Sequence, residues 1–284
     1  MSNLGYCGLE ASISLNRKPL LEVERSLITK HRSPLWSQFI KAINDYQLID
    51  EGDKIAVAIS GGKDSLLMAK LFQELKRHGK KKFELEFIAM DPGYHDNVRE
   101  VLINNCNYLN IPITYFESNI FQVVDKISRE YPCYLCARMR RGSLYSKAQE
   151  LGCNKLALGH HLDDVIETTM LNLLCAGNFK TMLPKLKSTN FPGLELIRPM
   201  YCIREASIIK FMKDNGIEAV DCGCIVAAKK TSSKREEIKK LIKNLSSSFQ
   251  EVEKSIFQAA HNVDLDCIIG WKQEGKKHSF LDEY

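Results

Sequence analysis

From Lys54 onward, short apolar runs alternate with stretches in which apolar residues recur every three or four positions. Runs of the first kind suit strands buried on both faces, and stretches of the second kind suit helices packed on one face. IAVAIS (Ile55–Ser60), ELEFIAM (Glu84–Met90), Ile113–Phe116 and KLALG (Lys155–Gly159) read as strands. Ser65–Lys76, Asn97–Leu109, Ile120–Glu130, a segment running from just after Cys136 to Leu151, and Asp163–Leu174 read as helices. Strands alternating with helices predict an α/β fold: a parallel sheet with helices on both faces. Ligands of such sheets are expected beyond the carboxyl ends of the strands.

Outside this region the pattern changes. Residues 1–50 show no strand signal and end in one predicted helix, Pro34–Tyr46, with Leu35, Phe39, Ile40 and Ile43 at helical spacing, so they read as an N-terminal extension. After residue 175 the alternation fades into a loop-rich stretch marked by Pro184, Pro192 and Pro199. A helix at Arg204–Asn215, the segment DCGC (Asp221–Cys224), helices at Ser233–Leu245 and Val252–Asn262, and a closing SFLDEY follow. The expected division is an extension at 1–50, an α/β domain at 51–220 and a helical C-terminal segment at 221–284.

Composition narrows the classes. At 284 residues, 44% hydrophobic and 26% charged, the chain can bury a sizeable core and is neither disordered nor fibrous. No apolar run has the ~18 residues of a membrane helix. The first fifteen residues lack a basic n-region and carry Glu10 within the apolar stretch, so they do not read as a signal peptide and the expected location is cytoplasmic. The formal charge of +5 permits a nucleic-acid partner without demanding one. Ten cysteines are too few for a disulfide scaffold, and in a reducing compartment some are candidate ligands.

The sharpest motif is Ser60-Gly61-Gly62-Lys63-Asp64-Ser65, set between a strand and a helix. Two glycines allow a tight turn with exposed N–H groups, the helix N-terminus adds partial positive charge, and Lys63 with the Ser60 and Ser65 hydroxyls can add donors, so the loop suits an anion. A plain turn with Asp64 or Ser65 as helix cap is the bland alternative. It is not a Walker A loop, since Lys63 is followed by Asp64 and the earlier glycine is missing. GHHLDD (Gly159–Asp164) follows the fourth strand; its adjacent carboxylates, Asp163 and Asp164, can hold a magnesium ion against phosphate oxygens.

Cys133-Tyr134-Leu135-Cys136 is a CxxC, read as a zinc knuckle, a redox pair or part of a larger site. Cys222-Gly223-Cys224 lies 86 positions beyond Cys136. Three thiolates can hold an iron–sulfur cluster and leave one iron without a protein ligand. Cys106, Cys153, Cys175, Cys202 and Cys267 occur singly and read as small buried hydrophobes. Arg138, Arg140 and Arg141 follow the CxxC. Lys229–Lys243 holds seven cations against Glu236 and Glu237 and so carries as much net charge as the whole chain; Lys76-Arg77 and Lys80-Lys81-Lys82 form a second basic run. Either is a solvated face or a nucleic-acid backbone footprint.

The SGGKDS loop resembles the PP-loop of the ATP pyrophosphatases, whose adenine nucleotide alpha hydrolase-like fold cleaves ATP between its α- and β-phosphates. Together with CYLCARMRRGSLY (Cys133–Tyr145), LGHHLDDVIET and a later cysteine, it resembles the TtcA-like tRNA 2-thiocytidine synthetases from about Lys54 to Lys243. The resemblance implies an ATP-dependent tRNA sulfurtransferase with a [4Fe–4S] cluster, ATP and Mg2+. It implies nucleotide binding by Ser60, Gly61, Gly62, Lys63, Asp64, Ser65, Met90, Arg140, Gly159 and Asp164, of which Lys63, Arg140 and Asp164 are catalytic. Cluster ligands would be Cys133 and Cys136 with Cys222 or Cys224. The later motif departs from the usual CxxC, and terminal zinc-binding cysteine pairs of the TtuA relatives are missing. Expected partners are tRNA and a sulfur donor, either sulfide or a cysteine desulfurase persulfide, with no membrane; a homodimer is carried as the assembly. The alternatives are a lysidine-synthetase-like ligase with structural zinc and a non-catalytic nucleotide-binding iron–sulfur sensor.

Overall fold

The computed structural model describes residues 17–118, 120–121, 132–220 and 234–284, with the backbone alone at 132–134 and 283. The predicted helix at Ile120–Glu130 beyond Phe121, the DCGC segment and residues 229–233 of the basic stretch lie outside them. By packing, the described residues form two compact units, one drawn from 1–164 and 183–231 and the other from 165–182 and 232–284.

The first unit begins with helices α1 (Leu20–Ile28) and α2 (Ser37–Asp45), joined through a π-helical turn at Arg32–Trp36. Next come β1 (Lys54–Ile59), α3 (Lys63–His78), β2 (Glu84–Asp91), α4 (Asp96–Tyr108), β3 (Ile113–Glu117), α5 (Pro132–Glu150) and β4 (Lys155–Ala157). Helix α6 (Leu162–Ala176) follows, belonging from Val165 onward to the second unit, and β5 (Lys185–Lys187), β6 (Glu195–Ile197) and α7 (Glu205–Asp214) return to the first. The sheet order is β3-β2-β1-β4-β6-β5. All neighbours are parallel except β5, which runs antiparallel to β6 with Lys185 opposite Ile197. β1 pairs with β2 on one side and β4 on the other, so the strand order reverses there and opens a crevice at their carboxyl ends.

Alternation in β1 sorts the two layers. Ile55, Val57 and Ile59 join Leu66, Leu67, Phe72, Phe39 and Phe211 in one core cluster, while Ala56 joins Tyr145, Ala148, Leu156 and Leu196 in the other. Branched residues fill the broad layer under α2, α3 and α7; the small Ala56 lets α5 approach the opposite face. Val23 and Leu27 of α1 are buried in the first cluster, so the segment ahead of β1 contributes to the core. A fully buried side chain such as Phe72 contributes roughly 1.5–3 kcal/mol relative to exposure.

Two expectations change here. The stretch after residue 175 supplies strands β5 and β6 rather than loop alone, and α5 begins at Pro132, placing the CxxC inside its first turns. Proline suits that first position because no backbone N–H is needed there.

The second unit contains α8 (Lys234–Ser248), α9 (Val252–Ala259) and the hairpin of β7 (Gly270–Gln273) with β8 (Lys276–Ser279). Ile238 and Ile242 form the buried stripe of α8. Glu274 and Gly275, at φ +50° and +81°, make the tight two-residue turn such hairpins favour. Among the described residues no helix is long and apolar enough to cross a membrane.

Candidate functional site

The SGGKDS turn leaves β1 and enters α3 at the crevice. Gly61 has φ +81°, and a Cβ there would lie 3.0 Å from Val220 Cγ2 and 3.2 Å from Leu102. Only glycine fits both the dihedral and the space. The loop is tied internally: the Ser65 hydroxyl donates to the Gly62 carbonyl at 2.9 Å and accepts from the Ser60 N–H at 3.2 Å. Ser65 therefore shapes the cradle from within, 5% exposed. The chain returns at Val220, whose N–H donates to the Gly61 carbonyl at 3.0 Å.

Lys63 opens α3 and lies 3.2 Å from both Asp64 Oδ2 and Glu205 Oε1. Burial alone would lower its pKa, but the two carboxylates overcome that and hold it above the ordinary lysine value, so it stays charged. Asp64 is pushed the other way: burial raises its pKa, with Lys63 and His161 opposing and Asp164 reinforcing. Its Oδ1 is buried with no hydrogen-bond partner among the described residues. A magnesium ion, which takes one or two carboxylates plus phosphate oxygens, fits such an atom.

Gly159 follows β4 closely, and a Cβ there would lie 3.4 Å from the backbone of Asp64 and Ser65, so the second loop packs against the first turn of α3. His161 then caps α6. Its N–H donates to Asp164 Oδ2 at 3.0 Å while Asp164 N–H donates back to His161 Nδ1 at 3.4 Å, the reciprocal pattern of a capping box. His161 Nε2 stands 3.5 Å from Asp164 Oδ2 and 3.9 Å from Asp64 Oδ1, so these two carboxylates face one imidazole. Asp163 Oδ2 also lies 3.7 Å from His161, at Nδ1, but this carboxylate has other partners. It accepts from the Glu205 N–H at 2.7 Å and from Arg204 at 3.1 Å, capping α7. Asp163 is thus engaged at the start of α7, while Asp64 joins Asp164 on the Nε2 side of His161.

Arg140, half-exposed on α5, donates to the Tyr94 hydroxyl at 3.1 Å. The Tyr94 backbone N–H donates to Asp91 at 2.6 Å, and Asp91 also bonds Arg99 at 2.8 Å and Tyr115, so the carboxyl end of β2 is a braced polar corner. Arg99, Tyr115 and two backbone N–H groups outweigh burial and keep the Asp91 carboxyl below its usual range. Met90 is 3% exposed and packs with Ile120 against Cys136, so its side chain is core. Cys136 is half-buried; the Cys133 side chain and all of Cys222 and Cys224 lie outside the described residues. Cys106 and Cys153 are buried as expected, Cys202 is half-buried, and Cys175 and Cys267 are exposed, so the latter two are not core residues.

Two residues escaped sequence reading. Glu205 opens α7 and partners Lys63; its one signal is its place at a helix start. Arg198 directly follows β6, is 6% exposed, and has a buried Nε without a hydrogen-bond partner among the described residues. Burial, then repulsion from Arg141, lowers its pKa to about 10.

A family model described as a PP-loop domain matches residues 31–222. The tRNA-cytidine(32) 2-sulfurtransferase of Syntrophotalea carbinolica is 38% identical over 226 residues, covering 78% of this chain and 86% of its own. Its counterpart in Bdellovibrio bacteriovorus is 33% identical over 230 residues, covering 80% and 86%. Among solved structures, U34-tRNA thiolase NcsA from Methanococcus maripaludis with its [4Fe-4S] cluster shares the fold, with TM-score 0.64 and 23% identity over 82% of this chain and 80% of that one. The phosphate loop, the second loop packed on it and this extent of identity agree: the chain belongs to the PP-loop family of tRNA-cytidine(32) 2-sulfurtransferases.

Proposed function

We propose that this chain is an ATP-dependent tRNA sulfurtransferase that adenylates a base carbonyl and exchanges its oxygen for sulfur, acting at cytidine 32 as its relatives' names indicate. The observation that carries the reading is the meeting of Lys63, Asp64, His161 and Asp164 beside an N–H-rich turn at the carboxyl ends of β1 and β4.

The N–H groups of Gly61 and Gly62 and the start of α3 bind the β- and γ-phosphates. Lys63, kept protonated by Asp64 and Glu205, and Arg140 neutralise the charge that develops as the carbonyl oxygen bonds to the α-phosphorus and pyrophosphate departs. Asp64 and Asp164 would hold magnesium, which when bound stabilises phosphate-oxygen charge. Tyr94 orients Arg140 through its hydroxyl. The adenylated carbon is then open to a sulfur nucleophile, and AMP leaves with the former carbonyl oxygen.

Cys133, Cys136 and Cys222 or Cys224 would hold a [4Fe–4S] cluster, which when bound supplies sulfur in nucleophilic form. Support comes from both ends of the set. Cys136 packs against Met90 near the end of β2, and Val220, two residues before Cys222, is bonded to Gly61 of the phosphate loop. The sulfur would come from sulfide directly, or from a desulfurase persulfide whose outer sulfur is brought to the sulfide level by two electrons from a pair of thiols that ends as a disulfide.

Mass spectrometry of tRNA nucleosides tests the reading. Cells lacking the protein should lose 2-thiocytidine, and resupply should restore it. Cys133→Ala should fail to restore it while the purified protein still binds ATP. Unchanged 2-thiocytidine without the protein, or full restoration by Cys133→Ala, would refute the proposal.

A further inference from the structure

A second cavity, of about 460 Å3, opens between α5 and the turn joining β5 to β6. Arg138, Arg141 and Tyr145 line it from the helix, and Lys187, Asn190 and Phe191 from the turn. Arg138 and Arg141 are three residues apart and so share a helix face, whereas Arg140 is engaged with Tyr94. No Asp or Glu occurs among the described lining residues. Tyr145 and Phe191 stack at 5.2 Å between ring centroids and 11° between planes, giving the cavity a rigid aromatic wall.

Arg198, directly after β6, is 6% exposed, its buried Nε without a hydrogen-bond partner among the described residues. Arg141 and Tyr145 dominate its nearby electrostatics, and Asp164 also acts on it. The cavity's helical wall begins at Ala137, the residue after Cys136, and Arg140 lies on the same helix. Cations gathered without a carboxylate repel one another, and an arriving anion relieves that cost.

The chemistry is specific. Guanidinium and ammonium groups suit a phosphodiester, an aromatic wall suits a base face, and a side-chain amide can read a base edge; that combination is how unpaired RNA is bound. The volume falls within the range of roughly 300–1,000 Å3 typical of small-ligand pockets. We infer that this cavity is a subsite for an unpaired nucleotide of the RNA substrate, neighbouring the base that reacts. The inference rests on the tRNA thiolation reading and adds to it a place where the RNA strand is gripped.

The test uses the full chain, in vitro transcribed tRNA and fluorescence anisotropy over a range of salt. Arg141→Glu and Lys187→Glu should each weaken tRNA binding at least tenfold. Each should also flatten the plot of log affinity against log salt by about 0.7–0.9 for every phosphate no longer neutralised. ATP affinity and the melting temperature should stay at wild-type values, and if Arg141→Glu melts early, the exposed Lys187→Glu decides alone. Wild-type tRNA binding by both variants would overturn the subsite and leave the thiolation reading standing. Loss of ATP binding with tRNA binding intact would make the cavity a mononucleotide site and also overturn it. Absence of tRNA binding by the wild-type protein would sink both readings.

Discussion

At the scale of single residues the site is held by opposed demands. Asp64 is desolvated enough that burial raises its pKa despite Lys63, so its ionised form is less favourable in the folded chain than in the unfolded one. That cost is present above the raised folded-state pKa and is relieved as pH falls toward the unfolded value. Asp64→Asn should therefore raise the melting temperature at neutral pH, by the equivalent of about 0.5–2 kcal/mol, with the gain vanishing in acid. Pyrophosphate release should fall at least tenfold in the same variant. Calorimetry across pH with a pyrophosphate assay checks both, and a lower melting temperature at pH 7 would show that Asp64 serves mainly to pair Lys63. Which carboxylates meet was only half legible. Asp164 could be read from the motif, but the choice between Asp163 and Asp64 depends on α7 docking beside the loop, through a hydrogen bond spanning 42 residues of chain. Arg198 was illegible for a similar reason: nothing beside it in sequence indicates that a lone arginine after a short strand is buried.

At the scale of elements, α7 ties the two loops together. Asp163 caps its N-terminus, and its first residue, Glu205, holds Lys63. Asp163→Ala should cost about 0.5–2 kcal/mol through loss of that cap, lowering the melting temperature without changing the magnesium dependence of pyrophosphate release. Asp164→Ala should raise the magnesium concentration needed. A magnesium titration of both variants separates the roles, and a raised requirement in Asp163→Ala would return that residue to the metal site. The βα alternation was readable because β1 and β2 are long enough to show buried runs and α3 and α4 long enough to show helical spacing. β5 and β6 are three residues each, too short for any period, and exist because β4 offers an edge. The β7–β8 hairpin was missed because its turn is Glu274-Gly275 rather than the stronger Asn-Gly or Asp-Gly signal.

At the scale of the whole molecule, a formal charge of +5 is too small to fix a polyanionic partner, so placement decides. Within the described part of the basic stretch, Arg235 is drawn to Glu167 at 3.2 Å and Thr168 at 3.1 Å, and Ile238 and Ile242 turn inward. Lys234, Lys240 and Lys243 remain exposed on α8. Lys240 meets Glu236 at 3.5 Å, an exposed pair of the kind worth little. If these lysines belong to the tRNA footprint, they act on the phosphate backbone and carry no sequence information. Replacing all three with Gln should then weaken binding of cognate and non-cognate tRNA alike and reduce the salt slope by about 0.7–0.9 for each phosphate left unpaired. The cavity variants also lose phosphate contacts, but contacts that form only once the reacting base is seated are made with cognate tRNA alone, so these variants should weaken cognate tRNA more than non-cognate tRNA. Anisotropy titrations of both variant sets against both tRNAs distinguish a nonspecific basic face from a specific grip. Wild-type affinity and salt slope in the triple variant would reduce the lysines of α8 to a solvated helix face.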